Sequence, residues 1–247
     1  MAEVGERKAA VTGRRARDLT ELVVGFGLIL AMVWSPRPWQ GPCYAVVLVW
    51  IGVATWRASD GAGAMGLRMA GFMGSLRVVG VALLVAVAAL LTAARLETLH
   101  VPQTAGVFAR TFLGYVVWAF VQQFLLQDFL LLRLLRLLRS RRTAVLVASG
   151  LFAVVHLPSP ILTGVTLVWG LVACWSFLEH RNVWGLGLAH AILGVCVAMV
   201  VPGRVDHNMK VGLGYLRYQE QPVGARGAAG REAADVWVLG DESPWRS

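Results

Sequence analysis

Seven stretches of the chain stay apolar for a dozen residues or more, with polar positions gathered in short groups between them. They run from Leu19 to Ser35, Cys43 to Trp56, Val78 to Ala94, Thr111 to Leu132, Thr143 to Leu157, Ile161 to Leu178 and Val183 to Val201. Crossing the hydrocarbon of a bilayer takes roughly 20 apolar residues, with a range of about 17–25, so the second and fifth stretches are short for a full crossing. Helix is the state each must take, because a lone strand in lipid leaves its backbone groups unpaired. The pattern therefore predicts an all-α protein, a polytopic transmembrane helix bundle of about seven spans. It divides the chain into a polar start at 1–18, a bundle at 19–201 and a polar tail at 202–247, with the Gly224 to Gly230 stretch reading as disordered. Residues 60 to 76, rich in glycine and methionine, read as a loop or as a helix lying in the interface. Trp34, Trp39, Trp56 and Trp184 fall at block ends, where an aromatic belt would place them.

Composition sharpens this. Hydrophobic residues make up 57% of the chain and charged residues 15%, a balance that leaves too few charges to cover a water-soluble globule. The net charge of +9 is not a nucleic-acid signature, because the basic residues sit in loops between apolar blocks and no aromatic-and-basic motif for bases accompanies them. The partners it implies are membrane lipids. Arg7, Lys8, Arg14, Arg15 and Arg17 precede the first block, Arg57, Arg68 and Arg77 follow the second, and Arg133, Arg136, Arg139, Arg141 and Arg142 follow the fourth. That alternation predicts a cytoplasmic N-terminus and, with seven spans, an external tail. The Arg133, Arg136 and Arg139 spacing reads as a helix end leaving the membrane, its arginines snorkelling toward anionic headgroups. The first block reads as a retained span, not a cleaved signal. Cys43, Cys174 and Cys196 offer neither a disulfide framework nor zinc spacing, and read as small buried hydrophobes.

In a bilayer the informative residue is the polar one at depth, since it must be partnered or hydrated. Gln122, Gln123 and Gln127 lie in the fourth block, and the last two, four apart, share a helix face. His156 ends the fifth block, His190 lies within the seventh, and Asp206 and His207 follow it. At about 1.5 Å of rise per residue, His156 and Gln123 both reach roughly 20 Å from the same side, and His190 about 10 Å. Amide and imidazole groups from three helices can thus meet in one polar layer. Taken singly, each has a plainer reading: glutamines join helices, a lone histidine is a satisfied structural group, and Asp128 pairs with Arg133 or the arginines beyond.

The order of these groups resembles the CAAX-protease and bacteriocin-processing family of intramembrane endopeptidases, whose three motifs are EExxxR, FxxxH and HxxxN. The resemblance covers roughly residues 105 to 200. Phe152 to His156 matches the second motif and His190 the centre of the third; Gln122, Gln123 and Gln127 stand where the first has Glu-Glu and Arg, and Gly194 where the third has Asn. The resemblance implies an endopeptidase of the bacterial inner membrane that cleaves a membrane-anchored peptide or protein, with His156, His190, Gln122, Gln123 and Gln127 forming the site and Phe152 supporting it. A glutamine amide accepts no proton near neutral pH, so the family's glutamate chemistry is absent at 122 and 123, a loss of about 10²–10⁴ in rate. Two replacements are open: Asp128, or Asp206 and His207 folding back from the tail. His156, His190 and His207 would make three imidazoles for a divalent metal, which is not favoured because no ligand pair shares a helical spacing. The alternative is a non-catalytic descendant that binds a transmembrane segment or another partner. A small transporter fits less well, since no repeat and no broken helix is visible.

Overall fold

Residues 2–58, 60–101 and 104–220 are described in the structure, a computed structural model, and among them every regular element is a helix. In chain order these are α1 (Ala2–Val33), α2 (Arg37–Ala58), the short α3 (Gly61–Ala64), α4 (Phe72–Arg95), α5 (Ala105–Phe124), a π-helical segment (Leu125–Leu131) that runs on into α6 (Leu132–Leu137), α7 (Arg141–Val154), α8 (Pro160–His180), α9 (Val183–Val200), α10 (Gly203–Asp206) and α11 (Gly212–Glu220). The starts are written in the sequence. Thr104, Ser140, Ser159 and Asn182 each accept a backbone N–H of the first turn, from Val107, Thr143, Leu162 and Gly185 respectively. Pro160 opens α8, where its missing N–H costs nothing.

Five helical stretches are long and apolar enough to cross a membrane: Arg37–Ala58, Gly61–Arg95, Ala105–Leu137, Pro160–His180 and Val183–Val200. The expected count of about seven is therefore not reached on these grounds. The helix α1 keeps Arg17, Asp18 and Glu21 beside its apolar part, and α7 has only 14 residues. The lateral surface is apolar: Val49, Leu84, Leu113, Val168 and Val172 are all exposed. Such a surface needs lipid, not water, as its solvent.

With lipid outside, apolar burial drives helix association weakly, so close packing and polar contacts must hold the bundle. The helix α9 packs against both α4 and α5, and α7 against α8. A Cβ on Gly187 would overlap the Phe120 ring and one on Gly194 the Tyr115 hydroxyl, so these glycines set the α5–α9 separation. The π segment lies at the centre: all seven of its residues are buried. A π turn leaves backbone carbonyls badly aligned, and Arg133 answers this by donating to the carbonyls of Asp128 (3.4 Å) and Phe129 (3.2 Å).

Arg133 is also the end of an ion-paired seam. It bonds Glu21 at 2.9 Å and lies 4.4 Å over the Phe129 ring. One turn on, Arg136 grips Asp18 at 2.8 Å and both oxygens of Asp60 at 2.9 Å, and Arg14 approaches Asp60 at 3.7 Å. The snorkelling expected of these arginines is thus corrected. Arg133 is wholly buried and Arg136 partly, while Arg139 is exposed. Asp128 does not pair with Arg133 through its carboxyl group either: both oxygens are buried without a hydrogen-bond partner among the described residues. Acids on α1, more than a hundred positions away, take that role.

Residues 60 to 76 divide into the short α3, a loop packed on the α8–α9 turn and the first turn of α4. The carbonyls of Ala64, Gly66, Leu67 and Arg68 accept from Arg181, Val183, Trp184 and Asn182, closing the α8–α9 turn. Beyond α9 the chain turns back. His207, Asn208 and Met209 all hold φ near +55°, and Gly212 N–H then donates to Leu157 O at 2.8 Å. The stretch from Gly224 to Gly230 lies outside the described residues.

Candidate active site

A cavity of about 130 Å³ opens between α1, α2, α5, α7, α8 and α9. Its wall is mostly apolar, with Phe26, Ile29, Val47 and Trp118 on one side; Gln122, Thr166, His156 and His190 interrupt it. The space is that of a few water molecules.

Phe152 organises the two imidazoles. Its ring lies edge-on to both, 5.0 Å from His156 and 6.0 Å from His190 between centroids. Its carbonyl, 2.8 Å from His156 Nδ1, can only accept, so that nitrogen carries the proton. His156 Nε2 then keeps its lone pair. The carbonyl is available because α7 ends at Val154, so the last turn has carbonyls without helical partners.

His190 is held from the other side. Gln127 Nε2 donates to Gln123 Oε1 at 3.3 Å. This turns the Gln123 amide nitrogen toward His190 Nδ1, 2.9 Å away. Nδ1 accepts in this arrangement and the His190 proton sits on Nε2. Trp169 covers the ring at 5.7 Å. Both histidines line the cavity. The two imidazoles thus offer opposite functions to the same space: an acceptor from His156 and a donor from His190.

Of the residues singled out in the sequence, the structure brings together Phe152, His156, His190, Gln122 and Gln123 around the cavity, with Gln127 behind Gln123. Asp128 is not among the lining residues. His207 stacks on Tyr215 and Tyr218, with centroids 4.0 and 5.0 Å away, and not on His156 or His190. The side chain of Asp206 lies outside the described residues. Among the described residues no three His, Cys, Asp or Glu side chains converge in a way that could hold a metal ion, so the three-imidazole set is not assembled. The tail does fold back, but it delivers Met209 and Val211 to the cavity instead. These two, with Tyr115 and Trp169, are site neighbours that periodicity alone does not find. A hint was present for Tyr115 alone, in the glycine at 194 where a larger side chain was expected.

Residues 104–196 match the family model described as Rce1-like, type II CAAX prenyl endopeptidase. The match is confined to this segment, which is similar to the Rce1-like endopeptidases. It begins at the cap of α5 and ends inside α9, so it contains the glutamines, both histidines and Phe152. No curated protein and no solved structure matches the chain. The apolar helices, together with this match, make the chain an integral membrane protein in contact with membrane lipid, with a central segment similar to the CAAX proteases.

Proposed function

We propose that the protein is an intramembrane endopeptidase that cleaves a membrane-anchored peptide at the cavity between α5, α7 and α9, with His156 taking the place of the absent glutamate as base. One observation carries this reading: the Phe152 carbonyl holds the His156 proton on Nδ1 and leaves Nε2 unprotonated beside a water-sized space. His156 Nε2 takes a proton from water as the oxygen attacks the scissile carbonyl. His190 Nε2–H donates to the oxygen that gains charge. The proton held by His156 then passes to the departing amine, and both imidazoles return to their starting forms. Gln123 and Gln127 hold His190 in its tautomer, and Gln122 faces the bound chain. No acid–base step falls to Asp128. The arginine clusters support a cytoplasmic N-terminus, and the family resemblance supports a bacterial inner membrane as the location.

The full chain reconstituted in phospholipid vesicles, with a fluorogenic peptide anchored by a prenylated cysteine, tests this. Cleavage is expected, and His156→Ala should lower kcat by about 10²–10⁴ while the melting temperature holds. Cleavage by His156→Ala at the wild-type rate would sink the assignment. A second reading, binding of a transmembrane segment without hydrolysis, is favoured by the three amides in place of Glu, Glu and Arg. It predicts reporter capture with no product from the wild type.

A further inference from the structure

The crossing of α5 and α9 brings a tyrosine to the wall of the cavity. Tyr115 is buried and lines it together with His156, His190 and Gln122. On α5 it precedes Gln122 by seven residues, two turns along the same face. On α9 its contact is Gly194, one turn beyond His190, where any Cβ would overlap the phenol oxygen. The ring rests among Ala119 and Ala191, small residues that let the two helices close on it. Gly194 is also the position at which the third motif departs from its Asn. The two departures fit each other: the side chain missing from α9 leaves the volume that a side chain from α5 fills with an O–H.

We propose that Tyr115 is a further catalytic residue, whose hydroxyl donates a hydrogen bond to the scissile carbonyl oxygen from the place left by position 194. This rests on the endopeptidase reading above. The phenol keeps its proton throughout; the bond to the oxygen strengthens as the carbonyl becomes tetrahedral and anionic, and relaxes when the amine leaves. The hydroxyl thereby works beside His190 Nε2–H, two donors on one oxygen, with His156 on the water side.

The test uses the full chain in vesicles and the prenylated fluorogenic peptide. Tyr115→Phe keeps the ring and its packing, and should lower kcat by about 100- to 1,000-fold with little change in KM. Gly194→Asn alone should lose activity through overlap with the ring. Tyr115→Ala combined with Gly194→Asn should recover at least about tenfold over Tyr115→Ala, because the amide then has its own room. If the wild type cleaves and Tyr115→Phe cleaves equally well, this proposal falls and the endopeptidase reading stands. If Tyr115→Phe loses KM and not kcat, the residue binds without stabilising the oxygen, and the proposal is overturned likewise. If the wild type cleaves nothing, both fall together.

Discussion

The two polar regions of this bundle are built on opposite electrostatic plans. Around the cavity the buried groups are amides, imidazoles and a phenol, all able to hydrogen-bond while neutral. Along the α1 seam the buried groups are guanidinium and carboxylate, assembled so that each charge meets its opposite within 3 Å. Both plans meet the same requirement, that a polar group away from water needs a partner. They differ in what happens when one partner is lost. A neutral donor loses about the worth of one hydrogen bond, whereas a buried ion left alone is far costlier. The seam is therefore the region that tolerates least, and the cavity is the region where a group can be exposed to a substrate without collapse.

Three substitutions press on that contrast. The largest effect is expected from Glu21→Ala, which strands Arg133 at full burial and should cost about 3–5 kcal/mol, read as thermal unfolding in detergent. A loss under about 1 kcal/mol would show that water reaches Arg133 and that the seam is no more demanding than a surface pair. Next is Gln123→Glu, which brings the seam's chemistry into the neutral layer. The carboxylate accepts from Gln127 and from His190, so the His190 proton should move to Nδ1, visible in the ¹⁵N spectrum of the imidazole. The stability cost should be about 1–3 kcal/mol. If the proton stays on Nε2, the amide is not what sets the tautomer. Asp60→Asn should have the smallest effect, about 1 kcal/mol or less. Arg136 keeps Asp18, and the pair is partly open to solvent.

Much of the helical plan could be read in the chain because five apolar runs have the length of a membrane. What could not be read depended on partners far away in sequence. Nothing near Arg133 announces Glu21, which precedes it by 112 residues, so the arginines looked like a helix end meeting headgroups. Leu125 to Leu131 carries no glycine, proline or charge pattern to mark a π turn; Arg133 at its end makes that geometry tolerable. The candidate site was more legible, since a polar residue in an apolar run stands out by itself. His156, His190 and Gln123 were found that way. Tyr115, Met209 and Val211 are amphipathic or apolar, and they looked like ordinary filling until the cavity gave them a place.

The widened turn at Leu125–Leu131 acts as a phase shift in the long central helix. One residue more than an α-helical turn requires changes the azimuth of everything after it by about 100° relative to Gln123. The arginines thereby face α1 while the glutamines face α9. Deleting one residue between 125 and 131 would leave every side chain chemically intact and swing guanidinium groups out of the seam. Residue count in this stretch, more than residue identity, separates the ionic half of the protein from the neutral one.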